Sequence, residues 1–200
     1  SVAGVVSDYA EGADPPGAGH WYFTSNNTGV SSPTDVHDPG VYFQDINVST
    51  GDTATVIAAG RGRYQLRAYM SSYLNETDFG NVRVDFRNGV GVTLGTAQIS
   101  DSDLGPNNVW SLNSAAGAIP VGTAILRVSL YGTRTAGGIG ADGFIDNVSL
   151  SVSGVPGDYN LNGTVDAADY VVWRDALGSA NTPRADGSGP AGVPDGVVDQ

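Results

Sequence analysis

The chain has 200 residues with 29 Gly, 10 Pro, one Met and no Cys, and its formal net charge is -12. Without Cys there are no disulfides, no thiol catalysis and no thiolate metal sites. The acidic balance, with a pI near 4.1, excludes a phosphate-backbone ligand, which requires clustered Lys and Arg. No apolar run approaches the ~18–20 residues that cross a bilayer as a helix, so membrane insertion is not expected either.

The types of charge are as uneven as their sum: 19 Asp stand against 2 Glu, and 9 Arg against no Lys. Asp is a poor former of helix and strand but suits turns, so the acid belongs in connections. Asp and Asn clustered in loops are also what oxygen-seeking cations need. The absence of Lys removes Schiff-base chemistry. The opening SVAGVVSDYAEG lacks the basic start and apolar stretch of a signal peptide. Either the protein is intracellular or Ser1 is a mature N-terminus; the low Lys and Cys, the Asp-rich loops and the Gly/Ser/Thr-rich strands lead to the expectation of export.

From residue 1 to about 152 the pattern is that of strands, expected at 21–24, 41–48 and 53–58. Tyr64–Met70 follows, with Tyr64, Leu66, Ala68 and Met70 opposed to Gln65, Arg67 and Tyr69. In Asn81–Arg87, Val82, Val84 and Phe86 oppose Arg83, Asp85 and Arg87. Strands are expected again at 90–99 and 109–112. In Ala124–Tyr131, Leu126, Val128 and Leu130 oppose Ile125, Arg127, Ser129 and Tyr131, and a last strand covers 144–152. Period two with one apolar face marks half-buried antiparallel strands. Asn88-Gly89, Thr50-Gly51-Asp52 and Pro120-Val121-Gly122 supply turn chemistry between them. The expected fold is all-β, an antiparallel β-sandwich or jelly roll over 1–152, with a hinge at 153–157 and a small loop–helix segment over 158–200.

In that last segment Asp169–Leu177 reads as the one convincing helix, with Tyr170, Trp173 and Leu177 as an apolar stripe and Gly178 as its stop. A lone stripe of this kind has to pack on the sandwich or on a neighbouring subunit. Ahead of it, Asp158, Asn160, Asn162, Thr164, Asp166 and Asp169 fall at positions 1, 3, 5, 7, 9 and 12 of a calcium loop, with Gly163 at the sharp turn. Ca²⁺ takes about six to eight oxygens at about 2.3–2.6 Å, and short side chains on a tight loop provide them. The alternative is an Asx-rich turn without a metal.

Residues 158–178 resemble the dockerin repeat, in which position 12 is commonly Asp and a single helix follows. The resemblance implies a second repeat, met loosely from Asp186 with Asp195, Val197 and Asp199 at positions five, seven and nine. It also implies attachment to a protein partner or self-association through this segment. Ala167 and Ala168 stand where cellulosomal dockerins carry small hydroxylated residues, a departure from the cohesin-reading pattern.

Residues 41–52, the Asn81–Arg87 strand, Ile119–Thr123 and the closing Gly143–Leu150 together resemble galactose-binding-like jelly rolls. The similarity is to the carbohydrate-binding modules attached to bacterial xylanases and cellulases. It implies a second Ca²⁺ shared by Glu11 (or Asp8) and Asp146. On alternation alone Asp146 shares the apolar face of Phe144, Val148 and Leu150, where a charge needs a metal or a partner unless the strand start is solvated. A glycan face would combine the outward sets Arg67/Tyr69, Arg83/Asp85 and Arg127/Tyr131, guanidinium donors beside aromatic rings. Three merely solvated strand faces would show the same pattern. Trp21 and Trp110 are expected in the core or at an edge.

Gly138-Ile-Gly140-Ala-Asp-Gly143 matches a dinucleotide motif by letters, yet precedes a strand and has no helix to hold a pyrophosphate. No nucleophile elbow exists, and His20 and His37 have no metal spacing. The expectation is a non-catalytic extracellular protein: a glycan-binding jelly roll whose tail docks to a protein. The alternative is a structural subunit of an extracellular fibre or surface layer held by calcium-stabilised contacts.

Overall fold

The structure, a computed structural model, describes residues 6–7, 15, 17, 21–24, 41–72, 77–101, 109–135, 141, 143–154, 157–160 and 164–177. These form strands β1 (Val6–Ser7), β2 (Trp21–Thr24) and β3 (Tyr42–Asn47), helix α1 (Gly51–Ala58), and strands β4 (Arg63–Ser72), β5 (Phe79–Arg87) and β6 (Thr93–Ser100). Strands β7 (Ser111–Ala118), β8 (Ile125–Thr133) and β9 (Gly143–Ser153) follow, and helix α2 (Ala167–Ala176) comes last. One sheet has the order β1-β2-β9-β4-β7 and the other β3-β8-β5-β6, and every pairing is antiparallel. Strands β2 to β9 thus divide between the sheets as 2-9-4-7 and 3-8-5-6, the strand order of a jelly roll.

The period-two reading explains the core. Leu66, Ala68 and Met70 of β4 are buried, as are Val82, Val84 and Phe86 of β5 and Leu126 and Val128 of β8, and they meet between the sheets. At one place the sheets touch backbone to backbone. A Cβ on Gly143 would overlap the Phe79 carbonyl carbon, and one on Gly80 would lie 2.6 Å from Ile145 Cγ1. Elsewhere the sandwich gapes: between β3 and β9 a cleft of about 360 Å³ is lined by Tyr42, Ile46, Val128, Leu130, Val148 and Leu150.

Two expectations are corrected. Residues 53–58, expected as a strand, belong to α1. Their β-branched residues favour a strand locally, but the helix turns Val56 and Ile57 into the core, and tertiary burial overrides propensity. The helix stops in a Schellman arrangement: Arg61 N donates to Val56 O at 3.0 Å and Gly60 N to Ile57 O at 2.9 Å. Gly60 adopts φ 74, which a side chain would resist.

Asp146 does not lie on the apolar face. Its neighbour Ile145 points inward at 1 % exposure, while Asp146 pairs with the outward Tyr69 and its Oδ1 accepts from Asn147 N at 2.7 Å. The cause is a bulge where Arg67 pairs with Ser149 but Tyr69 with Asp146, and Asn147 there has φ 49. One inserted residue shifts the phase of the strand, so Leu150 and Val152 face inward beyond it as Ile145 does before it.

Candidate functional site

The three outward sets expected to make a glycan face lie on two different sheets. Arg83, Asp85, Arg127 and Tyr131 stand on the outer face of β3-β8-β5-β6, whereas Arg67 and Tyr69 stand on the outer face of β1-β2-β9-β4-β7.

On the four-stranded sheet the outward polar groups bind one another. Asp85 lies between Arg83 and Arg87 along β5; Arg83 Nε donates to its Oδ1 at 2.7 Å and Arg87 Nη2 to its Oδ2 at 3.3 Å. Across the sheet, Arg127 of β8 grips Asp45 of β3 with two bonds of 2.6 Å and stacks its guanidinium 4.0 Å above the Phe43 ring. The hydrogen bond from Arg127 holds the Asp45 carboxyl below the usual carboxylate range, and the same bond raises the Arg127 guanidinium. Tyr131 is buried at 3 % exposure; its hydroxyl donates to Gln98 Oε1 at 3.2 Å, and Gln98 Nε2 donates to Asn81 Oδ1 at 3.0 Å. Burial pushes the Tyr131 hydroxyl above its ordinary range. As a ring for stacking on sugar Tyr131 is hidden, and Asp85, at 9 % exposure, is nearly so.

The five-stranded sheet carries aromatic chemistry that local sequence patterns do not bring together. Tyr22 of β2, Phe144 of β9 and Trp110, just ahead of β7, form a cluster with ring centroids 5.0, 5.6 and 6.5 Å apart. It lies away from the core, because Phe23 and Ile145, the neighbours of Tyr22 and Phe144, point into it. Tyr69 occupies the next part of the same face, paired with Leu112 on β7 and Asp146 on β9. Leu112 is 53 % exposed. Arg67 is exposed two residues along β4 and makes no ion pair among the described residues. Trp110, expected in the core or at an edge, stands at the edge, just ahead of edge strand β7, and joins this outer cluster. Only pairing register carries a signal for it, since β2, β4, β7 and β9 are far apart in the chain.

Of the six expected calcium-loop positions before and at the start of α2, all but Asn162 fall within the described structure. Asp158 and Asp169 are both buried. Asp169 Oδ1 accepts from Asn160 N at 3.0 Å and Oδ2 from Asp166 N at 2.8 Å, so positions 3, 9 and 12 close on one another. Those backbone donors, Asn160 first, hold the Asp169 carboxyl below its usual range. Asp166 caps the helix by accepting from Ala168 N at 2.8 Å, and the Asp166/Asp169 pair forms a capping box. Asp158 Oδ2 accepts from Arg61 Nη1 at 3.0 Å, with side-chain exposures of 0 % and 14 %. The donor set is all oxygen, with carboxylates at its first, ninth and twelfth positions, which fits Ca²⁺. Among the described residues, however, no three His, Cys, Asp or Glu side chains are gathered to hold a metal. Thr164 is exposed, and Asn162 lies outside the described residues, as do Glu11, Asp8, Asp186, Asp195, Val197, Asp199, the Trp21 side chain and the Gly178 stop.

The helix stripe packs differently from the expectation. Trp173 and Leu177 join Tyr159 and Ala176 in a small cluster of the segment's own, and Tyr170 leans on Trp173 with centroids 5.6 Å apart while remaining 57 % exposed.

The sequence matches no known family profile, and no curated protein matches it. Among solved structures it is similar to the enzymatically active domain of tailspike protein 4 from bacteriophage CBA120, at TM-score 0.45 and 15 % identity, over 74 % of this chain and 18 % of that one. It is also similar to a CBM4 protein at TM-score 0.39 and 14 % identity, over 66 % of this chain and 70 % of that one. A third likeness is to CBM35 from Cellvibrio japonicus Abf62, at TM-score 0.36 and 18 % identity, over 77 % of this chain and 93 % of that one. The chain therefore spans less than a fifth of the tailspike it matches.

Proposed function

We propose that the protein is an exported, non-catalytic glycan-binding module whose ligand lies on the outer face of the five-stranded sheet. The observation that carries this is the Tyr22–Trp110–Phe144 cluster sharing a face with Tyr69, Leu112 and the exposed Arg67. Planar rings offer apolar area to the C–H faces of a pyranose at small entropic cost, and an exposed guanidinium offers several fixed donors to hydroxyl oxygens. On the opposite sheet the carboxylates of Asp45 and Asp85 already accept from guanidinium groups, so a sugar hydroxyl gains little by replacing those bonds.

The test is binding to a panel of soluble plant and bacterial polysaccharides by affinity electrophoresis. Tyr69→Ala and Trp110→Ala are each expected to weaken retardation at least about tenfold, roughly 1.4 kcal/mol, in variants that remain folded at the assay temperature. If both variants retain full affinity for a polysaccharide that the native chain binds, the assignment to this face is wrong.

The same reading gives the tail two tasks. Asp158, Asn160, Asn162, Thr164, Asp166 and Asp169 would hold one Ca²⁺, which would supply the positive charge that a loop of converging oxygens needs. The helix would attach the module to a protein partner or a second copy. Its support is the apolar surface left after the segment has packed its own cluster: Val165 and Tyr170 are each 57 % exposed, and Val171 and Val172 43 % and 36 %.

A further inference from the structure

Arg61 reaches the first position of the proposed calcium loop from the sandwich, 97 residues earlier in the chain. It does so because of how α1 ends. The Schellman arrangement at Gly60 turns the chain sharply, and Arg61 is the next residue. It thus follows the carbonyl end of the helix, where positive charge is favoured. Asp158 is fully enclosed at its side chain, and Arg61 is 14 % exposed. A carboxylate so buried requires a positive partner, and here the partner belongs to the sandwich. Gly154, at the end of β9, lies against Val56 of α1, its missing Cβ 3.5 Å from a Val56 methyl, so the clamp continues an apolar contact between that strand end and the helix.

We propose that Arg61 is the resident counter-ion of Asp158, that it clamps the loop–helix segment to the sandwich, and that it lowers the affinity of the loop for Ca²⁺. This rests on the calcium reading given above. A divalent cation held by Asp158 would stand within a few ångströms of a fixed guanidinium and be repelled by it. Without the cation, the same guanidinium balances Asp158 and keeps the segment docked. Calcium binding and docking are then opposed through one carboxylate, and the strength of each is set by a residue outside the loop.

The experiment uses the full chain and calcium chloride alone. Calorimetry on the native protein, Arg61→Gln and Arg61→Lys is paired with limited proteolysis of each in chelator. Arg61→Gln is expected to bind Ca²⁺ about tenfold more tightly, the size of a repulsion removed at this range. Without calcium it should be cut faster between residues 153 and 158. Arg61→Lys keeps the charge and is expected to keep the native affinity. Should Arg61→Gln fail to fold, the Lys variant still decides: a tenfold gain there would show that charge is not the cause and overturn the proposal. Equal or weaker calcium binding by a folded Arg61→Gln also overturns it, leaving the calcium loop itself intact. If neither the native chain nor the variants take up calcium, the calcium reading fails and the competition falls with it. Faster cleavage of Arg61→Gln in chelator supports the clamp, and equal cleavage counts against it.

Discussion

On the four-stranded sheet, arginine and aspartate stand in a row, and each carboxylate already holds a guanidinium: Asp85 holds Arg83 and Arg87, and Asp45 holds Arg127. On the five-stranded sheet the outward residues include rings, Asp146, and two exposed arginines of β4, Arg63 and Arg67, that make no ion pair among the described residues. Both faces belong to the same jelly roll and both alternate with the same buried core. The difference shows that the face richest in charge is the one whose carboxylates are already paired. Charge attracts a partner wherever it can, and in a sheet the nearest partner is two residues along or one strand across.

The comparison breaks most sharply at Asp85. Replacing it with Ala leaves Arg83 and Arg87 without their shared acceptor, and is expected to cost about 2–4 kcal/mol of stability, overlapping the low end of the range for severing a fully buried pair. Urea unfolding at constant slope measures it. Glycan retardation should not change, because the proposed ligand face is on the other sheet. A loss of binding in a variant that remains folded would make the charged face the site. Tyr131→Phe removes only the bond to Gln98 Oε1 and is expected to cost about 0.5–1.5 kcal/mol by the same assay. A shift of zero would place that hydroxyl in water instead of in the network.

The smallest effect is acid sensitivity at Asp45. Its folded pKa is depressed, so the stabilisation it contributes is present above the ordinary carboxylate range and fades as pH falls through the folded value. That places the loss below about pH 4. The Asp45 side chain is 40 % exposed, so solvent screening limits the effect to about 1 kcal/mol or less. Asp45→Asn should flatten this part of the stability–pH curve, and an unaltered curve would assign the acid response to other carboxylates.

The jelly roll is legible in the sequence because β4, β5 and β8 alternate cleanly, and alternation is a local property. What escapes is nonlocal or out of phase. Helix α1 is hidden by Thr53, Thr55, Val56 and Ile57, whose branching speaks for a strand until burial is known. Alternation carried through a bulge puts Asp146 on the wrong face. The signal is Asn147, since Asn tolerates a left-handed backbone better than most residues. The aromatic cluster needs the register of β2, β9 and β7 before its members can be seen as neighbours. In the tail, the spacing of Asp166 and Asp169 carries two meanings at once, calcium ligands and a capping box, and the helix uses the second. Arg61 and Asp158 cannot be paired from sequence at all.

The meeting of Gly80 with Gly143 bears on how freely this sequence can drift. Most surface positions of a sandwich accept many residue types, and core positions accept several of similar volume. At 143 the added methyl of alanine already overlaps opposing backbone, and backbone has no smaller form to change into. A substitution at one glycine therefore has no compensating substitution at the other. Descendants of this chain can exchange rings, charges and loops around the rim of the sandwich, and at position 80 a smaller partner at 145 could make room, but Gly143 remains as it is for as long as the two sheets close at this point.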